Sequence, residues 1–127
     1  MIHNQRSITM INAMYEAMTV NAPEPAVGMG ATITGYTDRH AGTVVSWDGK
    51  IVSVQHDDVR RTDGNGMSDA QSYEFTPNPN APVEHYRRDK TDRWVRVVRN
   101  EETGRWNSKD YGGLILGFRD HYYDFSF

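Results

Sequence analysis

The stretch GTVVSWDGKIVSVQHD (Gly42–Asp57) contains two runs of β-branched and apolar residues on either side of Asp48-Gly49. An Asp-Gly pair between two such runs is a strong short-range signal for a β-hairpin with a two-residue type I′ turn. Short runs of the same kind recur along the rest of the chain, separated by turn residues. The sequence therefore predicts a domain made mainly of β-strands.

The predicted strands lie near Met29–Tyr36, Gly42–Trp47, Lys50–Asp57, Gln71–Thr76, Glu84–Arg88, Trp94–Val98 and Leu114–Arg119. Two further connections, DKTD (Asp89–Asp92) and EETG (Glu101–Gly104), are polar enough to close antiparallel pairs. Parallel pairs need long crossover segments, which are usually helical, and no helical pattern separates the strands. We expect six or seven antiparallel strands that form a curled sheet or a small, partly open barrel.

The residues before the first predicted strand have a helical pattern. Ser7 is a suitable N-cap, and apolar residues between Ile8 and Met18 recur at spacings of three and four. The segment TVNAPEP (Thr19–Pro25) contains prolines that break a helix. The sequence predicts an N-terminal amphipathic helix and linker over residues 1–25 and an antiparallel β domain over residues 26–127, an α+β organisation that is mainly β.

The composition argues against several classes of protein. The chain has no cysteine, so neither a disulfide framework nor a thiolate metal site is available. No apolar run approaches the ~20 residues of a membrane-spanning helix. The net charge is −3, whereas proteins that bind duplex nucleic acid usually carry a strongly basic face. We expect a cytoplasmic protein whose partners include neither a membrane nor duplex nucleic acid.

The sequence contains no recognisable catalytic motif. Phosphate-loop, dinucleotide-binding and nucleophile-elbow signatures are all missing. None of the five histidines follows a known metal-binding motif; His56 and Asp58 share a strand face, but no third ligand is obvious. We therefore expect no catalytic residue, no metal site and no cofactor, and we interpret the chain as a binding protein.

Arginine and aromatic residues near the ends of the predicted strands suggest a ligand site. Eleven of the fourteen basic residues are arginine, whose planar guanidinium binds phosphate in a bidentate manner. Amides and hydroxyls can read the edge of a base, and aromatic rings can stack on it. The predicted ligand-binding residues are Tyr36, Arg39, Arg60, Arg61, Asn65, Ser68, Gln71, Tyr73, Phe75, Arg119 and Tyr122. They fit a small phosphorylated nucleotide; the alternative is that the arginines are ordinary surface residues and the rings are core.

Several short motifs resemble a group of small phage and prophage proteins. They are GMGAT (Gly28–Thr32), TDR and TVV (Thr37–Arg39, Thr43–Val45), NGMS followed by Gln71 and Tyr73 (Asn65–Ser68), PNPN (Pro77–Asn80), GRW (Gly104–Trp106) and GFRDHYYDFSF (Gly117–Phe127). In size and β-rich composition, the chain also resembles Thoeris anti-defence and anti-CBASS proteins, which sequester nucleotide messengers. The resemblance implies a sponge that binds a cyclic-nucleotide or ADP-ribose-type signalling molecule, unmodified, in the cytoplasm of the infected host cell.

Two other functions fit the same sequence. A curled β domain can hold single-stranded nucleic acid with stacked rings and arginines, and a continuous basic groove would indicate this function. A structural or protein-interaction module of a phage is the other possibility. An exposed apolar patch without a polar pocket would indicate that module.

The low hydrophobic content of 37%, the separate amphipathic helix and the aromatic C-terminal residues predict a homo-oligomer built from dimers. Apolar surface that one chain cannot bury is expected to be buried between symmetric copies. Light scattering at micromolar concentration should therefore give at least twice the 14.5 kDa mass of one chain. The mass of a single chain under these conditions would contradict the prediction.

Overall fold

The computed structural model describes residues 23–35, 37–67 and 71–121, which form an all-β structure. Its strands are β1 (Gly30–Thr34), β2 (Arg39–Trp47), β3 (Val52–Arg61), β4 (Tyr73–Pro77), β5 (Val83–Arg88), β6 (Trp94–Arg99) and β7 (Trp106–Leu116). The predicted N-terminal helix lies outside the described residues. In the part of the chain that is described, no helix has the length and apolar character needed to cross a membrane.

Six of the strands form a closed antiparallel barrel. Around the barrel the order is β1, β2, β3, β5, β6 and β7, and β7 pairs with β1 to complete the circle. Strand β4 pairs with residues 57–61 of β3, so the β3–β4 hairpin extends beyond the barrel. The prediction of six or seven antiparallel strands is confirmed, but the barrel is closed rather than partly open.

Closure depends on β7, which is longer than predicted. The sequence predicted the last strand near Leu114–Arg119, whereas β7 begins at Trp106 and ends at Leu116. Its first part pairs with β6, and residues 113–116 pair with β1 on the other side. Gly112 has a φ of 106°, which is accessible to glycine at little cost and accommodates the irregular pairing with β6. The polar first part of β7 lacks the alternating apolar residues on which the prediction relied.

The turn between β2 and β3 is not the predicted type I′ turn. Residues 48–51 connect the two strands, so the loop is longer than two residues. The Asp48 carboxylate accepts hydrogen bonds from the backbone N–H groups of Lys50 and Ile51. A type I′ turn needs positive φ at both central residues, but only Gly49 of the Asp48-Gly49 pair has one. The hairpin is confirmed, and the side chain of Asp48 determines its turn.

The barrel interior is small and partly aromatic. Its buried residues are Ala31, Ile33, Val44, Val52, Val54, Tyr86, Trp94, Leu114 and Leu116. At one end, the rings of Trp47 and Trp94 pack edge to face with their centroids 5.7 Å apart. Because successive side chains of a strand point to opposite faces, residues two positions along a strand from these buried ones also face the interior.

Gly42 provides a test of the packing between β2 and β3. A Cβ at this position would lie 2.7 Å from Val54 Cγ1 and 2.9 Å from the carbonyl oxygen of Gln55. Gly42→Ala is expected to destabilise the fold by about 1–3 kcal/mol, because neither neighbour can move without disturbing the barrel. Gly64→Ala is the control, since a Cβ there has open space around it. Equal urea midpoints for the two variants would contradict the tight packing.

Candidate functional site

The barrel interior becomes polar at the end away from the tryptophan pair. On β3, the alternation that buries Val52 and Val54 turns His56 to the same side two residues later. Neighbouring strands and the segment after β7 supply further polar side chains at this level. We define the barrel mouth as His40, His56, Glu84, Arg96 and His121.

Glu84 is the anionic centre of the mouth. Its Oε2 accepts a hydrogen bond from His56 Nε2 at 3.1 Å, and its Oε1 lies 2.9 Å from Arg96 Nη2. The hydroxyl of the buried Tyr86 also donates to Oε2, at 3.2 Å. The hydrogen bond from His56 and the charge of Arg96 lower the pKa of Glu84 despite its burial, so the carboxylate is ionised. Burial raises the pKa of Tyr86 far above its ordinary value, so its hydroxyl remains a donor.

Three imidazole rings meet at the mouth. The His40 centroid lies 6.0 Å from that of His56 and 5.1 Å from that of His121. Burial, and after it the neighbouring His56, lowers the pKa of His40. Burial, and after it His40, lowers the pKa of His121 to about 4. Both rings are therefore neutral near pH 7, and each offers one hydrogen-bond donor and one acceptor.

The aromatic wall beside the mouth comes from β4. The Tyr73 ring lies edge-on to His121 with centroids 4.6 Å apart, and it stacks on Phe75 at 6.5 Å. The Tyr73 hydroxyl donates a hydrogen bond to the side-chain carbonyl of Gln71. Burial raises the pKa of Tyr73, which keeps this hydroxyl protonated. Three of the predicted site residues, Gln71, Tyr73 and Phe75, therefore lie together.

The segment after β7 is fastened across β1, β2 and β3 and carries His121 to the mouth. Arg119 Nε donates to Asp57 Oδ2 at 2.8 Å, and its Nη2 donates to the Thr43 hydroxyl at 2.9 Å. Arg39 Nε donates to Asp120 Oδ2 at 2.7 Å. Two of the predicted ligand-binding arginines, Arg39 and Arg119, thus hold this segment in place through ion pairs within the chain.

Arg61 organises the loop that follows β3. Its guanidinium forms an ion pair with Asp63 and donates to the carbonyl oxygen of Gly66. Asp63 also accepts hydrogen bonds from the backbone N–H groups of Asn65 and Ser72. The hydrogen bond from Arg61, followed by that from Ser72, lowers the pKa of Asp63 far below its ordinary value. The predicted residue Asn65 thus belongs to a turn that an ion pair closes.

Arg60 is separated from the other predicted residues. It projects from the opposite face of the β3–β4 hairpin and pairs with Glu74 at 2.6 Å. An open cleft of about 350 Å³ lies on that face, lined by Asp58, Val59, Arg60, Glu74 and Thr76.

Three of the predicted site residues, Tyr36, Ser68 and Tyr122, lie outside the described residues. Gln71, Tyr73 and Phe75 form the wall beside the mouth. Arg39 pairs with Asp120, the neighbour of His121. Arg61 and Arg119 hold the loop after β3 and the segment after β7 through ion pairs.

The histidines and Glu84 were not among the predicted site residues. His56 carried a usable signal, because it continues the alternation of Val52 and Val54 toward the interior. His121 carried none, because its position depends on the ion pairs that fold the segment after β7 over the barrel. The predictions relied on arginine as an anion ligand and did not anticipate its pairing with carboxylates of the same chain.

The chemistry available at the mouth is hydrogen bonding and ring stacking. Within residues 23–35, 37–67 and 71–121, no group of three or more His, Cys, Asp or Glu residues is arranged to hold a metal ion. Both oxygens of Glu84 are engaged by side chains of the barrel. The neutral imidazoles and the tyrosine ring are suited to a flat heteroaromatic ligand, which they can contact through both faces and edges.

Comparison with known proteins adds no family assignment. No protein-family model, no curated protein and no solved structure matches the chain.

The ion pair between Arg119 and Asp57 should contribute far more stability than the one between Arg60 and Glu74. The Asp57 side chain has no exposed surface, whereas the Arg60 and Glu74 side chains are 72% and 61% exposed. Arg119→Ala leaves a buried carboxylate without its cation and is expected to cost about 3 kcal/mol. Arg60→Ala is expected to cost less than about 1 kcal/mol. Chemical unfolding measures both losses, and similar values would contradict the structural role of Arg119.

Proposed function

We propose that this chain binds a small nucleotide-type ligand at the barrel mouth, with the base directed into the mouth, and releases it unmodified. The proposal rests on one observation: neutral imidazoles and the Tyr73 ring converge at one end of a closed barrel. In the setting that the phage resemblance implies, such a protein would be an anti-defence sponge for a cyclic-nucleotide or ADP-ribose-type signalling molecule.

The rings around the mouth support recognition of a base. The planes of the Tyr73 and His121 rings are inclined at 67° to one another, and Phe75 extends the wall on the far side of Tyr73. Stacking on aromatic side chains tolerates any base because every base has a π-face. The neutral rings of His40 and His121 can both donate to and accept from the edge of a base.

The charges around the mouth support an orientation with the phosphates outward. Arg96 is paired with Glu84, and Arg39 is paired with Asp120. A phosphate placed beside these arginines would have to compete with a carboxylate at contact distance. A neutral base at the same position would not have to compete with a carboxylate for an arginine. The phosphates are therefore proposed to lie at the solvent-facing border of the mouth, where water stabilises their charge.

The contacts that Glu84 makes within the barrel support a function in binding rather than in catalysis. A general base must reach a substrate proton, either directly or through one water molecule. His56 Nε2 already donates to Glu84, which also accepts a hydrogen bond from Tyr86 and forms an ion pair with Arg96. This network stabilises the geometry of the mouth and gives the side chains fixed positions for recognition.

A thermal-shift panel tests the proposed function. Cyclic dinucleotides, cyclic trinucleotides and ADP-ribose cyclic isomers are each added at increasing concentration. A ligand at a hundredfold excess over its Kd should stabilise the folded chain by about 2.7 kcal/mol. Tyr73→Ala is expected to abolish the shift, whereas Tyr73→Phe, which keeps the ring, should retain it. Heating the complex should return the intact nucleotide.

Lys90→Ala is the control, because Lys90 is exposed in the β5–β6 turn at the opposite end of the barrel. Its thermal shift should equal that of the unmodified chain. A panel without any shift, or a shift that survives Tyr73→Ala, would refute ligand binding at the mouth. Recovery of a cleaved nucleotide would refute the sponge and make the chain an enzyme.

A further inference from the structure

A second surface with ligand-binding character lies on the outside of strands β5, β6 and β7. We define the Trp106 surface as His85, Arg87, Arg99 and Trp106. His85 and Arg87 flank the buried Tyr86 and therefore face outward, and Arg99 lies opposite Trp106 in the β6–β7 pairing. The segment that carries His121 lies against β1, β2 and β3, on the other side of the barrel.

The aromatic centre of this surface is held in a defined orientation. The rings of His85 and Trp106 lie 5.0 Å apart, and Trp106 is only partly buried. Ser53 Oγ and His85 Nδ1 form a hydrogen bond of 2.7 Å, which fixes the imidazole. Arg87 Nη1 donates to the carbonyl oxygen of Trp106 at 3.3 Å. Two adjacent, partly exposed rings therefore lie on the outer face of the barrel.

The arginines of the Trp106 surface have no carboxylate partner within the part of the chain that the structure describes. Among the described residues, six arginines form ion pairs with carboxylates: Arg39, Arg60, Arg61, Arg88, Arg96 and Arg119. Four described arginines form none: Arg87 and Arg99 beside Trp106, and Arg93 and Arg105 in the β5–β6 and β6–β7 turns. Glu101 and Glu102 lie in the turn at the tip of the same hairpin, beyond the strand positions that flank Trp106. Two arginines without a carboxylate partner, Arg87 and Arg99, therefore lie beside the partly exposed ring of Trp106.

We infer that the Trp106 surface binds single-stranded nucleic acid, with a base stacked on Trp106 and neighbouring phosphates bound by Arg87 and Arg99. Single strands expose the faces of their bases, and proteins bind them by combining aromatic platforms with cations that follow the backbone. A duplex hides those faces and is normally bound by a larger basic surface than two arginines provide. The Trp106 surface and the barrel mouth share no residue. A binding experiment at one site therefore does not decide the function proposed for the other.

Fluorescence anisotropy with fluorescein-labelled oligo(dT) and oligo(U) tests the inference. Two phosphate contacts predict that log K falls with log salt concentration with a slope of about −1.4 for single strands. Trp106→Ala should weaken binding by about 5- to 150-fold through loss of stacking. Arg99→Ala should make the slope shallower by about 0.7. A labelled duplex should bind more weakly than either single strand.

Trp106→Phe and Arg93→Ala are the matched controls. The first keeps an aromatic ring and should retain most of the affinity. The second removes an exposed arginine from the β5–β6 turn, away from the Trp106 surface, and should leave both affinity and slope unchanged. Tyr73→Ala should likewise have no effect, which separates this site from the mouth.

Three results would overturn the inference. They are the absence of binding to either single strand, binding that Trp106→Ala and Arg99→Ala leave unchanged, and equal loss of affinity in Arg99→Ala and Arg93→Ala. Circular dichroism of each variant establishes that its barrel is intact. If Trp106→Ala does not fold, the slope and affinity of Arg99→Ala decide the question alone.

Discussion

The double pairing of β7 is the constraint on which the barrel depends. Its first part continues the hairpin from β6, and its last residues, 113–116, pair with β1 at the other edge of the sheet. Without the second pairing, β1 and β7 would be open edges with unsatisfied backbone groups. Closure also fixes the register around the barrel, which brings His40, His56, Glu84 and Arg96 to one level.

Ion pairs supplement a core that is small for a closed barrel. The pair between Arg119 and Asp57 and the pair between Arg39 and Asp120 hold the segment after β7 against the barrel wall. That segment covers the outward-facing Thr32, whose hydroxyl donates to the carbonyl oxygen of Phe118. The same contacts position His121 at the mouth, so the stability of this segment and the geometry of the mouth are coupled.

The described arginines differ in whether they face a carboxylate. Those that do stabilise turns, the segment after β7 and the network around Glu84. Arg87 and Arg99 beside Trp106, and Arg93 and Arg105 in turns, have no such partner among the described residues. The bias of the composition toward arginine therefore reflects, in large part, ion pairs within the fold.

The sequence by itself determined which segments form strands, that they pair antiparallel and where most of them end, because alternation and turn chemistry are local properties. It also identified Tyr73, Phe75 and Gln71 as neighbours, since they share one face of a single strand or directly precede it. It did not determine the strand order, in which β3 pairs with β5 and β7 pairs with β1. It could not determine that β7 begins at Trp106, because the polar residues of that strand are selected by pairing with β6 and not by their own pattern. Nor could it assign a structural role to Arg39 and Arg119, because their carboxylate partners lie 81 and 62 positions away along the chain. Such ion pairs, and the gathering of three histidines at the mouth, arise only when barrel closure brings distant residues within contact distance.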